Sequence, residues 1–404
     1  MFKYSMHKPL LLIWLLLYLP TYSLSVAAEA AGYIGVQARE FFESPADPAQ
    51  GSENYSLVIS PEWYQSFNDN NDSLNLKLFY RYDSLDSERS HADLREFFWL
   101  HVGNDWELTL GVNKVYWGVT ESQHLVDIIN QTDTVEAVDG EEKLGQSMVH
   151  LALIKDYGVF DFFVLPGFRS RTFPGEEGRL RSQPITVAEQ DHYQSDKGDD
   201  HIDYAMRWSS YYGNWSVGLS WFHGTNRDPI LRSVVDNSGT VLEPYYTQID
   251  QLGLDLQYNV GDWIWKLEAI YRQGDDPLQD DFIASTTGFE YTLVGFHRSW
   301  DLGLLMEYSH DSRSSQSAGL LQNDMLAGGR LSFNDASSSE LLFGVVQDLD
   351  ANASWSAFVE LSTRVGDATR VLLEVYSFSS DEPDKPLYSL RRDSYLELSL
   401  EYYF

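Results

Sequence analysis

Residues 74–82 read Leu-Asn-Leu-Lys-Leu-Phe-Tyr-Arg-Tyr. Taken two at a time, Leu74, Leu76, Leu78, Tyr80 and Tyr82 share one face, and Asn75, Lys77, Phe79 and Arg81 share the other. Successive strand side chains point to opposite sides of a sheet, so the stretch predicts a strand with one greasy and one wet face. The pattern recurs. Trp106, Leu108, Leu110 and Val112 oppose Glu107, Thr109, Gly111 and Asn113. Trp263, Trp265, Leu267, Ala269 and Tyr271 oppose Ile264, Lys266, Glu268, Ile270 and Arg272. Leu302, Leu304, Met306 and Tyr308 oppose Gly303, Leu305 and Glu307.

A soluble sandwich alternates too. Three features separate this chain from one. Its strands run about 10 to 13 residues, whereas globular strands run about 5 to 6 and a tilted bilayer crossing needs about 9 to 11. Aromatics gather near strand ends, as at Trp63-Tyr64, Tyr116-Trp117, Tyr211-Tyr212 and Trp263 with Trp265. Connections alternate short and long. The expectation is an all-β, transmembrane, antiparallel up-and-down barrel. Its strands, about 18 of them, lie near 32–42, 54–67, 73–83, 92–103, 105–115, 146–155, 158–166, 201–212, 214–225, 247–260, 262–273, 282–295, 299–311, 323–334, 339–349, 353–365, 369–379 and 393–404. The count falls to 16 if one hairpin is wrongly split. Short turns such as Gly213-Asn214 and Gly261-Asp262 have two-residue hairpin chemistry.

The N-terminus carries a different signal. Lys3, His7 and Lys8 precede the apolar run Leu10–Leu19, then Pro20 and the small residues Val26-Ala27-Ala28. That order predicts a cleaved export signal over 1–28 and a barrel over 29–404. No later apolar run is long enough to span a bilayer as a helix.

The 404 residues hold 28 Lys and Arg against 61 Asp and Glu, a formal charge of −33. Such a chain has no basic face for nucleic acid. With no Cys, thiol catalysis and Cys-bound zinc are excluded. No acidic cluster has EF-hand spacing, so neither metal nor cofactor is expected; loop carboxylates suit divalent bridges to lipopolysaccharide.

A barrel this wide encloses water, and what narrows the lumen decides what passes. The loop near 117–145 mixes Leu125, Val126, Ile128 and Ile129 with Glu121, Asp127, Asp133 and Glu136, which suits packing against the inner wall. The loop near 167–200 holds Arg169, Arg171, Arg179 and Arg181 among Phe168, Phe173 and Leu180. Folded inward opposite each other, the two would set a transverse field across a constriction. As ordinary outer loops, their arginines would pair with neighbouring carboxylates or lipopolysaccharide phosphates. Lumen candidates are Lys77, Arg81, Arg207, Lys266 and Arg272 with Glu107, Glu268 and Glu307, joined by Glu374, Glu397 and Glu401. A one-residue slip would turn each into lipid, at about 2–4 kcal/mol for Arg or Lys near the midplane.

Leu396, Leu398, Leu400, Tyr402 and Phe404 alternate to the last residue. This end resembles the terminal strand of Gram-negative outer-membrane proteins, whose closing aromatic serves as the insertion signal. The resemblance implies the outer membrane, its lipid and lipopolysaccharide, and the barrel-assembly machinery as partners. Tyr116-Trp117-Gly118 with Asp127-Ile128-Ile129-Asn130 and Asp133 resembles a motif of uncharacterised proteobacterial outer-membrane proteins of the DUF1302 type. Gly224–Pro229, Gly288–Thr292 and Asp324 with Arg330, Asn334 and Asp335 look like barrels of that neighbourhood, although Gln131 stands where Pro often follows the Asn. This resemblance implies a porin-like channel that handles hydrophobic or organic substrates alongside an export pump. The barrel reading itself leads to the expectation of passive or pump-linked passage of small hydrophilic or organic solutes, by a monomer or a homo-oligomer. The other classes are a surface adhesin or receptor, and an outer-membrane hydrolase. For the last, His310-Asp311-Ser312 is the trio to inspect, but neighbours on a strand face opposite ways and neither G-x-S-x-G nor H-E-x-x-H occurs.

Overall fold

Each alternating run becomes a strand, and the strands close into one ring. The computed structural model describes residues 28–136, 139–235, 239–313 and 322–404; the export signal up to residue 27 lies outside them. In chain order the strands are β1 (Ala28–Phe41), β2 (Glu53–Phe67), β3 (Asp72–Asp83), β4 (Ala92–Val102), β5 (Trp106–Asn113), β6 (Gln146–Lys155), β7 (Gly158–Pro166), β8 (His192–Tyr193), β9 (Ile202–Tyr212), β10 (Trp215–Thr225), β11 (Ile230–Val235), β12 (Thr240–Tyr246), β13 (Gln248–Val260), β14 (Trp263–Gly274), β15 (Phe282–His297), β16 (Trp300–Asp311), β17 (Asn323–Ser332), β18 (Glu340–Asp348), β19 (Trp355–Val365), β20 (Thr369–Ser379) and β21 (Tyr395–Tyr403). Eighteen of them form an antiparallel barrel, closed where β1 pairs with β21 from Tyr33 opposite Tyr403 to Phe41 opposite Tyr395. The count is therefore 18, not 16.

The faces fall as the alternation requires. Leu78, Tyr80, Tyr82, Leu110, Trp265, Tyr271, Leu304, Met306, Leu398, Leu400 and Tyr402 stand exposed on the outside, while Arg81, Lys266, Glu268, Arg272, Glu307 and Glu397 are buried within. Unpaired apolar side chains all round a closed sheet suit a hydrocarbon solvent, where every backbone group must find a partner inside the protein. Short turns lie at one end. Gly213 and Gly261 sit there at φ of 57° and 60°, with open space where a Cβ would stand. Their requirement is left-handed backbone alone.

The other end carries the long connections. There β11 and β12 form an antiparallel hairpin, and β8 joins β12 in parallel. This small sheet lies within connections expected to be irregular. Val241 and Tyr246 bury against the loops around them, so apolar packing supplies what a solvated loop would lack. One short helix, α1 (Leu387–Leu390), docks Leu387 and Leu390 on Phe41, Phe378 and Tyr395, with Leu180 beside them.

Candidate functional site

The described residues of the connection between β5 and β6, 114–136 and 139–145, fold into the barrel. Val126 and Ile129 are fully buried at 0% exposure. With Trp117 and Ile128 they pack on Met148, Phe163, Leu165, Ala205, Phe222, Ile249, Ile270, Phe282 and Ala284, inward residues of β6, β7, β9, β10 and β13–β15. This part of the inner wall carries an apolar patch among its charged residues, and the segment covers it.

Two wall carboxylates fix the segment's near end. Glu268 accepts from the backbone N–H of Val119 (2.7 Å), Thr120 (3.0 Å) and Val126 (3.2 Å) and from the Thr120 hydroxyl (2.7 Å). Glu307 accepts from the N–H of Glu121 and Ser122 (both within 2.9 Å) and from the Ser122 hydroxyl (2.7 Å). Both side chains are buried, at 0% and 1% exposure. Buried carboxylates need such donors, because an unsatisfied charge in a low-dielectric interior is costly. Glu121 itself pairs with Lys266 (3.2 Å) and Arg330 (3.4 Å). Asp127 is 3.5 Å from Lys143, and burial holds its carboxyl above the ordinary range.

The segment's far end meets a cluster of charged wall residues on and beside β3 and β4. Arg81 grips Glu136 through Nε and Nη2, the latter at 2.6 Å. Arg95 lies 2.6 Å from Asp133, and the Thr172 hydroxyl donates to the same Asp (2.7 Å). Arg89 donates to the Val135 carbonyl (2.8 Å) and to Asp83 (2.8 Å). Burial, with Arg39 and Arg81 nearby, pulls the Arg89 guanidinium down to about 10. Burial opposes the charge on Asp133, but His91, Arg95 and Thr172 outweigh it and hold the carboxyl near 2. His91 Nδ1 donates to the Arg89 carbonyl at 3.0 Å, and Nε2 is 3.7 Å from both Asp133 and Glu136. Burial lowers His91, and the two carboxylates more than reverse this, so it sits above its ordinary value. His91, Asp133 and Glu136 bring donor atoms within 4.8 Å of one another, a grouping not foreseen from sequence. Their carboxylates are already matched by guanidinium groups.

The arginine-rich connection, 167–201, does lie over this segment, with Thr172 bonded to Asp133. Its charges are not aimed at the acidic residues across a gap. Arg169 pairs with Asp93 (2.7 Å), Arg171 with Asp228 (2.6 Å), Arg179 with Asp393 (2.5 Å) and Arg181 with Asp47 (2.8 Å). Each pair cancels locally, and the acids Glu121, Asp133 and Glu136 are answered by barrel-wall cations. Phe168 stacks edge-on to Tyr246 at 4.8 Å.

Three cavities line up around residues 134–136. At the long-loop end a chamber of about 570 Å³ is lined by Thr134, Phe173, Leu180, Arg181, Leu231, Leu242 and others. On the short-turn side a chamber of about 340 Å³ lies against β1, β3, β20 and β21, with Arg39, Lys77, Arg81, Arg95 and Lys114 facing Glu136, Asp139, Glu142, Glu374, Glu397 and Glu401. Between them a gap of about 20 Å³ shares Thr134, Pro174 and Leu180 with the first chamber and Arg39 and Glu136 with the second.

Most lumen candidates face inward, but as partners rather than free charges. Arg207 is bidentate to Asp255 (2.7 and 2.9 Å), and Arg272 holds Gln251, Asn226 and Asp228. Lys77 pairs with Glu62 (2.5 Å), and Glu107 sits half-buried opposite Ala152. Arg39, Arg89, Arg95 and Arg227 were missed. Arg39 shares the inward face of β1 with Tyr33 and Gln37, so alternation alone would have found it. Arg227, 2.6 Å from Asp203 and 3.0 Å from the Ile129 carbonyl, follows the end of β10 and carries no periodic signal. In the trio 310–312, Asp311 is buried and bonded by Arg313, whereas His310 is exposed on the opposite face.

A closed 18-stranded sheet with an apolar exterior and an inward-folded connection defines a porin-like outer-membrane barrel. Among solved structures, OccK11 (OpdR) of Pseudomonas aeruginosa superposes with a TM-score of 0.54 at 9% identity, over 94% of this chain and 96% of that one. OmpT, an outer membrane protein of Vibrio cholerae in trimer form, gives 0.47 at 10% identity, over 94% and 99%. No family model and no curated protein matches the chain.

Proposed function

We propose that this protein is an outer-membrane channel for passive or pump-linked passage of small hydrophilic or organic solutes, with residues 114–145 as its constriction. The observation that carries this is the pair of chambers on either side of residues 134–136, with a gap of about 20 Å³ that shares lining residues with both. In this reading residues 1–28 are removed on export, the short turns face the periplasm, and Phe404 closes the insertion signal. The DUF1302-type relationship rests on the short motifs alone. Assembly as a homo-oligomer would place the exposed apolar wall of neighbouring copies together.

Purified, folded barrel in planar bilayers should give discrete ion-conductance steps. Absence of steps at every voltage, with hydrolysis of a liposomal ester instead, would replace the channel with an enzyme; absence of both, with ligand capture by the loops, would replace it with a receptor.

A further inference from the structure

Three neighbouring strands repeat one pair of inward side chains, an aromatic ring and a glutamate two residues apart. The pair is Tyr395 and Glu397 on β21, Tyr376 and Glu374 on β20, and Phe358 and Glu360 on β19. Register sets like against like: Phe358 opposite Tyr376 opposite Tyr395, and Glu360 opposite Glu374 opposite Glu397. Aromatic rings side by side stabilise a sheet, whereas like charges directly opposite destabilise it. The row of glutamates is therefore kept at a cost, and a cation set beside it recovers that cost.

The pair on β21 shows what such a pair holds. The Arg39 guanidinium lies 2.7 Å from Glu397 and 4.6 Å from the centre of the Tyr395 ring, so carboxylate and ring grip one cation between them. On β19 the Glu360 carboxylate accepts from the Tyr376 hydroxyl (2.6 Å). The pair on β20 differs. Glu374 is half-buried and lines the inner chamber together with Tyr376, and it has no hydrogen bond or ion pair among the described residues.

The rest of that chamber carries the same sign. Arg39, Lys77, Arg81 and Arg95 each meet a carboxylate within 2.7 Å. Lys114 is then the one lining cation outside an ion pair among the described residues, against Asp139, Glu142, Glu374 and Glu401. Glu401 accepts from the Tyr403 hydroxyl (2.7 Å) and stands opposite Arg370 on β20, so Asp139, Glu142 and Glu374 carry the surplus. At about 340 Å³ the chamber has the size of a small-molecule site.

We infer that the inner chamber is a binding site for a small organic ammonium ion, its charge beside Glu374 and its hydrocarbon against Tyr376, as Arg39 lies against Glu397 and Tyr395. This rests on the channel reading and names the solute class that the channel selects.

The test uses the full barrel, folded in detergent for calorimetry and in planar bilayers for current. Butylammonium is the probe. Butyrate reverses its charge, and ammonium lacks its hydrocarbon. Butylammonium should bind saturably and interrupt potassium chloride current at about tenfold lower concentration than ammonium, and butyrate should do neither. Glu374→Gln should weaken butylammonium about tenfold, and Glu374→Asp should recover part of the loss, since the charge-assisted contact is restored. Asp139→Asn, on the connection rather than the barrel wall, should weaken butylammonium about threefold and serves if no variant at position 374 folds. Equal action of butylammonium and butyrate, or unaltered affinity in the variant that folds, overturns the site. The channel is judged apart: conductance without butylammonium saturation keeps the channel and removes the site, and saturation without conductance does the reverse.

Discussion

Glu268 and Glu307 carry the inward segment on seven hydrogen-bond donors from residues 119–126. Truncating one carboxylate strands several donors at once, each at about 1–3 kcal/mol when buried. The double variant Glu268→Ala/Glu307→Ala should therefore loosen the segment and raise single-channel conductance, with more open-state noise. Conductance identical to the parent would show that the segment is held by its apolar contacts alone. His91 gives a pH signature. Its folded value is raised by Asp133 and Glu136, so its contribution is complete below the ordinary imidazole value of 6.5 and is lost as pH climbs through the raised one. Asp133 behaves oppositely. Held near 2, it contributes fully above the ordinary carboxylate range and fails only as pH falls toward 2. Current recordings from pH 5 to 9 should become noisier at the alkaline end, and His91→Gln should abolish that dependence.

At the scale of elements, the outward rows of β21 and the arginine loop make separate predictions. Leu398→Arg puts a charge on the lipid face, at a cost of up to about 2–4 kcal/mol near the midplane; folding into vesicles should be less complete at equal urea. Deleting 169–181 removes Arg169, Arg171, Arg179 and Arg181 together and uncovers Asp47, Asp93 and Asp393. Conductance or ion selectivity should change, and single-channel behaviour unchanged from the parent would deny this loop any part in the constriction. These elements also show what a sequence can disclose. All eighteen barrel strands are readable because burial on one side only imposes period two, and a slip would put Arg81 or Lys266 into lipid. The packing of Val126, Ile128 and Ile129 against the wall is readable because four apolar residues beside acids have no reason to be solvated. The pairing of the arginines is not readable: Arg179 meets Asp393 across 214 positions, and no local pattern encodes that. The hairpin of β11 and β12 leaves only a weak trace, the β-branched Ile230, Val234 and Val235 ahead of a Ser-Gly turn signal at 238–239.

For the whole molecule, the decisive property is the division of solvents. Outside, aromatic and aliphatic side chains are exposed all round; inside, an apolar patch lies under residues 117–129 and paired charges stand beside it and around the smaller chamber. Such an exterior requires a hydrocarbon phase, so the purified barrel should stay monodisperse only with detergent and aggregate on its removal. A monodisperse species in plain buffer by light scattering would deny the membrane reading and the channel with it.

The seam between β1 and β21 has a consequence for how the molecule comes into being. Every other seam joins barrel strands that follow one another along the chain, whereas this one joins β1 to β21 and cannot form before both are present. Two bare borders persist until the final residues arrive, each a template for pairing with a stranger. Closure of the circle is thus set by contact between strands more than 350 positions apart, and Arg39 with Glu397 marks it across 358 positions.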